Sequence, residues 1–334
     1  MKIQRKLMVG SMIYAIVFCA VSLTGLLYYA LHKEIRIENA VTEVAKQVED
    51  GNGIVSGELR LIQIEDRTNR ITIPIPAETK SDNVTVENHY MNKELWLRID
   101  TLDVAYWKNT PVFVDRMVTE GEYQNNQDGL WLRFRLQQLC EYRVILDRDK
   151  LTIELCSPKE LFDKIIIVDP ESDEYSLMIA QALKERMDAE QIKVYYTGLD
   201  AQKVTLGQRR DLLAHAQADF YIGIRMNRSE DPNLYGTMVY YGGDYFTPEL
   251  DCVRLADTLE RNVVTQIRGR ANGIEEAVAD PILSQISIPG VVLCPGYVSH
   301  ETERGFLQQS DYQNRIADGI YQTILSTYEE IELK

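Results

Sequence analysis

The chain has 334 residues, of which 45% are hydrophobic and 26% charged, an ordinary globular composition with room for two domains. Its formal net charge of −15 argues against nucleic acid as a partner, because phosphate binding needs a basic surface. The sequence has no CxxC motif and no two histidines at metal-ligand spacing, so it carries no local zinc or haem motif.

The N-terminal segment is strongly apolar. Residues 7–31 contain no charge and are long enough to span a bilayer as one helix. Lys2, Arg5 and Lys6 precede this segment, and such positive flanks stay in the cytoplasm. A cleaved signal peptide is the competing interpretation, but no small-x-small cleavage site is evident. We predict a cytoplasmic tail over 1–6, a signal-anchor in the cell membrane over 7–31, and extracytoplasmic domains after this single pass.

Residues 32–53 form a predicted helical stalk. Ile37, Val41, Val44 and Val48 are spaced as a heptad seam on an otherwise charged segment. Two turns of seam are compatible with a plain stalk or with one that forms a homodimer.

Residues 54–158 carry short β-rich segments with a period of two, which predicts a small all-β sandwich domain. The segments ELWLRI (94–99) and GLWLRF (129–134) resemble each other, as repeated strands would. Cys140 and Cys156 fit either a disulfide between neighbouring strands or two buried thiols.

Residues 162–330 alternate strand and helix patterns. Hydrophobic runs such as KIIIVD and PGVVLCPG alternate with amphipathic segments such as SLMIAQALKERM. The pattern predicts an α/β fold, with a mostly parallel sheet covered by helices on both faces.

The order of these segments resembles the catalytic domain of the zinc-dependent N-acetylmuramoyl-L-alanine amidases over residues 164–328. Asp169-Pro170 occupies the position of the family motif D-P-G-H-G-G. GIRMN occupies the position of S-I-H-A-N, and VVLCPGYVSH occupies that of V-L-V-E-x-G-F-x-S-N. The resemblance implies the amidase-like fold. The preceding β domain resembles, more weakly, the wall-targeting sandwich that often precedes such amidases.

The same resemblance implies that the catalytic residues are substituted. Zinc hydrolysis needs three protein ligands, an open position for water and a general base. The family's first zinc-ligand position falls on Glu171-Ser172, where the Gly-rich loop is missing. The second ligand position falls on Ser172 and the third on Arg225, and the position of the catalytic Glu falls on Cys294. A guanidinium has no lone pair for a metal. We therefore predict no zinc, no metal site and no catalytic residue.

The degenerate site would still have a lining. We predict that it consists of Asp169, Glu171, Glu174, Arg225, Asn227, Cys294 and His300. We expect Arg225 to pair with Glu171, Asp173 or Glu174, the alternative being that it points to solvent. A replacement zinc site or a Cys294 nucleophile with His300 as its base is the less favoured interpretation.

These inferences predict a membrane-anchored pseudoenzyme that binds or regulates cell-wall machinery. Its partner would be a peptidoglycan fragment or an envelope protein such as a true amidase. The alternative is an active peptidoglycan amidase with an unorthodox metal or cysteine site. The third possibility is a structural spacer without a functional pocket.

Overall fold

The computed structural model describes residues 56–64, 69–126, 129–199, 203–243 and 250–332. The predicted tail (1–6), membrane span (7–31) and stalk (32–53) lie outside these residues. Within the described ranges, no helix is both long enough and apolar enough to cross a membrane.

The strands of the N-terminal part are short and mostly antiparallel. They are β1 (Ser56–Glu58), β2 (Leu61–Gln63), β3 (Arg70–Pro74), β4 (Val84–His89), β5 (Glu94–Ile99), β6 (Val112–Val114), β7 (Val118–Asn126), β8 (Gly129–Leu136), β9 (Glu141–Asp147) and β10 (Lys150–Cys156). Two short helices, α1 (Val104–Asn109) and α2 (Pro158–Leu161), accompany them.

These strands form two five-stranded sheets in the described residues, in the orders β1-β7-β8-β5-β4 and β2-β6-β3-β10-β9. The two repeated segments are β5 and β8, which are antiparallel neighbours with Trp96 opposite Arg133. One apolar cluster, including Ile71, Leu97 and Phe134, is shared by both sheets, because alternate residues of each strand face inward. Cys140 and Cys156 are both free thiols.

The C-terminal part alternates strands and helices. Its strands are β11 (Ile165–Pro170), β12 (Lys193–Tyr196), β13 (Phe220–Ile224), β14 (Thr237–Tyr241), β15 (Ala271–Glu276) and β16 (Gly290–Cys294). Its helices are α3 (Glu174–Met187), α4 (Leu206–His215), α5 (Cys252–Ile267), α6 (Glu301–Leu307) and α7 (Ser310–Glu332).

The six described strands of this part form one sheet in the order β12-β11-β13-β16-β14-β15. Its neighbouring strands are parallel except for β14 and β16. Residues of β11 and β13 are buried throughout, as expected of strands covered on both faces. Helices α3, α5 and α7 pack on one face and α4 on the other. The predicted mixed α/β architecture is therefore present.

Polar contacts join the β domain to the C-terminal part on the sheet face that α4 covers. Tyr90, which follows β4, donates a hydrogen bond to the Tyr196 carbonyl (2.8 Å) and accepts one from the Tyr196 amide (3.0 Å). Buried Glu141 accepts from the Tyr195 hydroxyl (2.6 Å) and pairs with Lys193 Nζ (2.8 Å). These bonds join the β domain to β12, which would otherwise be an open sheet edge.

Candidate functional site

Three neighbouring parallel strands end at the same edge of the sheet and bring their following residues together. The amide of Glu171, after β11, donates to the Ile224 carbonyl of β13 (2.9 Å). The amide of Arg225, after β13, donates to the Leu293 carbonyl of β16 (3.0 Å). Ligand sites of α/β proteins form at such carboxyl ends of strands. The residues that follow these strands are therefore the candidate site.

Asp169 is the centre of this site and is 1% exposed. Its Oδ1 accepts hydrogen bonds from Thr197 Oγ1 (2.5 Å) and Arg209 Nε (2.8 Å). Its Oδ2 accepts from the Tyr221 hydroxyl (2.5 Å) and lies 3.6 Å from Arg225 Nη2. A carboxylate that is this deeply buried is stable only with such pairing.

Arg225 joins Asp169 to a second carboxylate. Its Nη1 lies 3.6 Å from Oδ2 of Asp280, in the turn after β15. Burial alone would lower the pKa of Arg225, but Tyr221, Asp169 and Asp280 together raise it. Burial and the Asp169 charge raise the pKa of Tyr221 well above its usual value, so its hydroxyl remains a donor. Arg225 is therefore a fixed positive charge at this edge of the sheet.

The expected pairing of Arg225 with the turn after β11 is wrong. Within the described part of the chain its ion pairs are with Asp169 and Asp280, and none is formed with Glu171, Asp173 or Glu174. Asp173 is instead the N-cap of α3, where it accepts from the amides of Tyr175 and Ser176. Glu171, Ser172 and Glu174 are exposed.

Cys294 lies at the end of β16, beside Arg225. Burial raises the pKa of its thiol from 9.0 to about 12, although the Arg225 charge opposes the rise. At neutral pH the group is therefore a protonated thiol rather than a nucleophilic thiolate. The geometry does not support a reactive cysteine.

The His300 side chain forms a hydrogen bond with the backbone. It is the N-cap of α6, and its Nδ1 accepts a hydrogen bond from the Glu303 amide (3.3 Å). The same turn contains buried Glu303, whose carboxylate accepts from the amides of Gly236 (2.8 Å) and Tyr297 (2.7 Å). His300 and Glu303 thus hold the loops that surround the site.

Asn227 follows Arg225 by two residues and forms an isolated parallel bridge with Tyr297. Its amide donates to Gly296, and its carbonyl accepts from Val298. The chain is therefore extended here, and Arg225 and Asn227 lie on the same face. The buried atoms Arg225 Nη1 and Asn227 Nδ2 make no hydrogen bond with the described residues.

The sequence interpretation missed four members of the network: Thr197, Arg209, Tyr221 and Asp280. Tyr221 could have been found, because it lies four residues before Arg225 on one strand and so shares its face. Arg209 had a signal too, since LGQR at the start of α4 matches the L-x-x-R of the resembled family. Asp280 had none, because its position depends on the path of the turn after β15.

The residues at the family's ligand positions do not fit a zinc ion. A guanidinium occupies one of them and is held between two carboxylates, and the neighbouring thiol is protonated. In the described ranges, no group of three or more His, Cys, Asp or Glu residues is arranged to hold a metal.

Residues 170–326 match the protein family described as N-acetylmuramoyl-L-alanine amidase. A germination-specific N-acetylmuramoyl-L-alanine amidase of Bacillus subtilis is 29% identical over 127 residues, which are 37% of this chain and 51% of that protein. The N-acetylmuramoyl-L-alanine amidase LytC of the same organism is 22% identical over 155 residues, which are 46% of this chain and 31% of LytC. This chain therefore spans about half of the length of the first relative and about a third of the second.

Solved structures show the same likeness. The CwlD amidase from Clostridioides difficile, determined in complex with the GerS lipoprotein, is 20% identical with a TM-score of 0.46. The alignment covers 50% of this chain and 98% of that one. The family resemblance drawn from the sequence is confirmed by the family match.

Proposed function

We propose that this chain, whose residues 170–326 match the N-acetylmuramoyl-L-alanine amidase family, is a non-hydrolytic member of that family that binds cell-wall material or regulates its processing. The observation that supports the proposal is Arg225, a permanent cation at a ligand position, held by Asp169 and Asp280. A metal ion there would face a like charge and lack one of its three protein ligands.

The partner in this proposal is a peptidoglycan fragment or an envelope protein such as an active amidase. The net charge of −15 disfavours adhesion to anionic wall polymers. The preserved fold does not by itself favour activity, because a binding protein needs the same packed core. The alternative of a cysteine hydrolase is disfavoured by the raised pKa of Cys294.

The proposed location is the outer face of the cell membrane, with residues 7–31 as the anchor. The support is the uncharged segment and its basic flank. Protease treatment of intact protoplasts is the measurement. Digestion of the C-terminal domains is expected, whereas protection of these domains until lysis would contradict the location.

Zinc content and hydrolysis test the proposal together. The full chain, purified in detergent, is incubated with zinc, washed, and analysed by elemental mass spectrometry, with an active family amidase in parallel. We expect near-zero zinc in this chain, about one zinc per active amidase, and no peptide release from peptidoglycan. One zinc per chain together with peptide release would refute the proposal.

A further inference from the structure

The outer face of one sheet of the β domain carries an apolar row. In the sheet β2-β6-β3-β10-β9, one residue of each strand lies directly opposite its neighbours, and together they form a row across the sheet: Ile62, Phe113, Thr72, Thr152 and Ile145. Ile145 is 47% exposed, and the other four side chains are partly exposed. Ile62 and Phe113 pack against none of the three apolar clusters of the described residues. The row is therefore a stripe that the described part of the chain leaves uncovered.

Two strands of this sheet are apolar on both faces. β6 reads VFV over 112–114, and the middle of β9 reads VIL over 144–146. An antiparallel sheet with one solvated face normally alternates apolar and polar residues, whereas strands that are apolar throughout are typical of a sheet covered on both faces. The inner face packs in the core of the sandwich. The outer face thus has the composition of a covered face as well.

Charged residues flank the row where it crosses β9 and β10. On one side Arg143 lies opposite Glu154, and on the other side Asp147 lies opposite Lys150. Lys150 Nζ is 3.7 Å from Asp147 Oδ2, and both side chains are more than half exposed. Arg143 is also exposed and donates to the Glu160 carbonyl (3.2 Å). The charges therefore alternate in sign around the row and are accessible to a second surface.

The pattern is complementary to itself. When two copies lie face to face, a two-fold rotation about an axis along the row places each row residue against its own counterpart. The same rotation exchanges the two flanks, so that Arg143 of one copy faces Asp147 of the other, and Glu154 faces Lys150. A two-fold interface requires a patch that binds the same patch in this way. Opposite charges would thus meet on both sides of an apolar centre.

The C-terminal part lies beyond one end of this surface. It joins the β domain at Glu141, the first residue of β9, which binds Tyr195 and Lys193. Glu141 is four residues before Ile145, or about 14 Å along the strand. Thr72, at the centre of the sheet, remains partly exposed. The row is therefore open to a second molecule in the presence of the C-terminal part.

We propose that two copies of this chain bind each other through this face, sheet against sheet, about a two-fold axis along the row. The occupant is a second copy because the charges on one flank are matched in sign by those on the other. The row spans about 20 Å from β2 to β9, which is small for a stable interface, and the net charge of −15 on each copy opposes association. The dimer is therefore weak and reversible, and it does not depend on whether the chain hydrolyses peptidoglycan.

Site-specific cross-linking of the full chain in detergent tests the interface. Thr152→Cys lies on the proposed axis, so its thiols would face each other between sheets about 10 Å apart. A short bis-maleimide should link this variant into covalent dimers, and the native chain gives the background from its own cysteines. The reference is Val278→Cys, 80% exposed in the C-terminal part, which should give about tenfold less dimer. Equal yields from the two variants, or no dimer from Thr152→Cys, would overturn the proposal.

Two double variants in the Thr152→Cys background examine the charge pairing. Arg143→Glu with Glu154→Arg reverses one flank, and Asp147→Lys with Lys150→Asp reverses the other. Each keeps the net charge and the pair across its own strands, because the exchanged residues lie directly opposite each other. Between identical copies, each variant sets like charges face to face, so the cross-linked yield should fall about tenfold.

A mixture of the two double variants, carrying different tags, provides the sharpest comparison. The native flank of each variant then faces the native flank of the other, and the two reversed flanks face each other with opposite signs. Mixed dimers should therefore form with the yield of the unreversed Thr152→Cys chain. Failure of the mixture to recover, or an undiminished yield from either double variant alone, would refute the two-fold arrangement.

The apolar row has its own variant. Ile145→Lys, also in the Thr152→Cys background, brings two like charges together on the axis and should reduce the yield about tenfold. The matched control is Val253→Lys on α5, where the native side chain is 44% exposed, and it should leave the yield unchanged. Equal yields from these two lysine variants would show that the row does not lie in an interface.

Discussion

A single residue type changes what this site can do. Histidine offers a lone pair to a metal, whereas arginine is always protonated and presents only donors. Arg225 fills its position by pairing with Asp169, which also accepts from Thr197, Arg209 and Tyr221. The substitution thus comes with a set of partners that satisfies the buried carboxylate. Arg225 is therefore a fixed cation held within this network.

Cys294 allows a prediction at the same scale. With a pKa of about 12 instead of 9.0, its thiolate fraction at pH 8 is about 10³-fold lower than that of an ordinary thiol. Native Cys294 should therefore resist iodoacetamide at pH 8, as followed by peptide mass spectrometry. The exposed reference is Val278→Cys, at a side chain that is 80% exposed, which should react readily.

The contribution of Cys294 to the free energy of unfolding depends on pH, and its direction follows from the raised pKa. Because the folded-state pKa is raised, the unfolded chain loses this proton first as the pH rises. The contribution of Cys294 to stability is complete below about pH 8.5 and declines as the pH rises toward 12. Rapid labelling of native Cys294 at neutral pH would favour the cysteine-hydrolase alternative.

At the scale of elements, the packing of α5 against α7 depends on a glycine. A Cβ added at Gly319 would lie 2.6 Å from the Val263 Cα and 2.8 Å from its backbone nitrogen. The two helices therefore approach at backbone distance, and neither contact can be relieved by a rotamer change. Buried apolar residues of both helices, including Leu259 and Ile320, share the core that supports the sheet.

Gly319→Ala should therefore destabilise the protein, although alanine is the better helix former. The overpacking cost of about 1–3 kcal/mol exceeds the helix-propensity gain of about 1 kcal/mol. The matched substitution is Gly305→Ala in α6, where a Cβ would meet nothing within 4 Å. That variant should be neutral or slightly more stable. Chemical denaturation of both variants checks the prediction, and equal stabilities would contradict it.

At the scale of the whole molecule, the two parts are joined by a buried polar contact. Glu141 is 4% exposed and binds both Tyr195 and Lys193, and Lys193 lies 5.0 Å from the centres of the Phe162 and Tyr195 rings. Lys93 adds a more exposed pair with Asp211 (3.2 Å). The sheet that carries the candidate site therefore has its β12 edge covered by the β domain.

Glu141→Gln tests this junction. Glutamine keeps an oxygen for Tyr195 but leaves the mostly buried Lys193 charge without a partner, which should cost about 3 kcal/mol. Glu120→Gln removes an exposed pair with Arg135 and should cost less than about 1 kcal/mol. Calorimetric unfolding of the full chain and hydrogen exchange in β12 measure the difference. Unchanged protection of β12 in Glu141→Gln would show that the junction does not depend on this charge pair.

The sequence by itself determined the alternation of strands and helices, the β-rich part before it, and the resemblance of residues 164–328 to the amidase family. These features depend on local periodicity and on motif order, which a single chain displays directly. Its predictions for the membrane span and stalk stay predictions. Only the tertiary structure decided the polar network around Asp169 and Arg225. Asp169, Thr197, Tyr221 and Asp280 are far apart along the chain, and they meet because parallel strands end at one sheet edge and a distant turn folds over it.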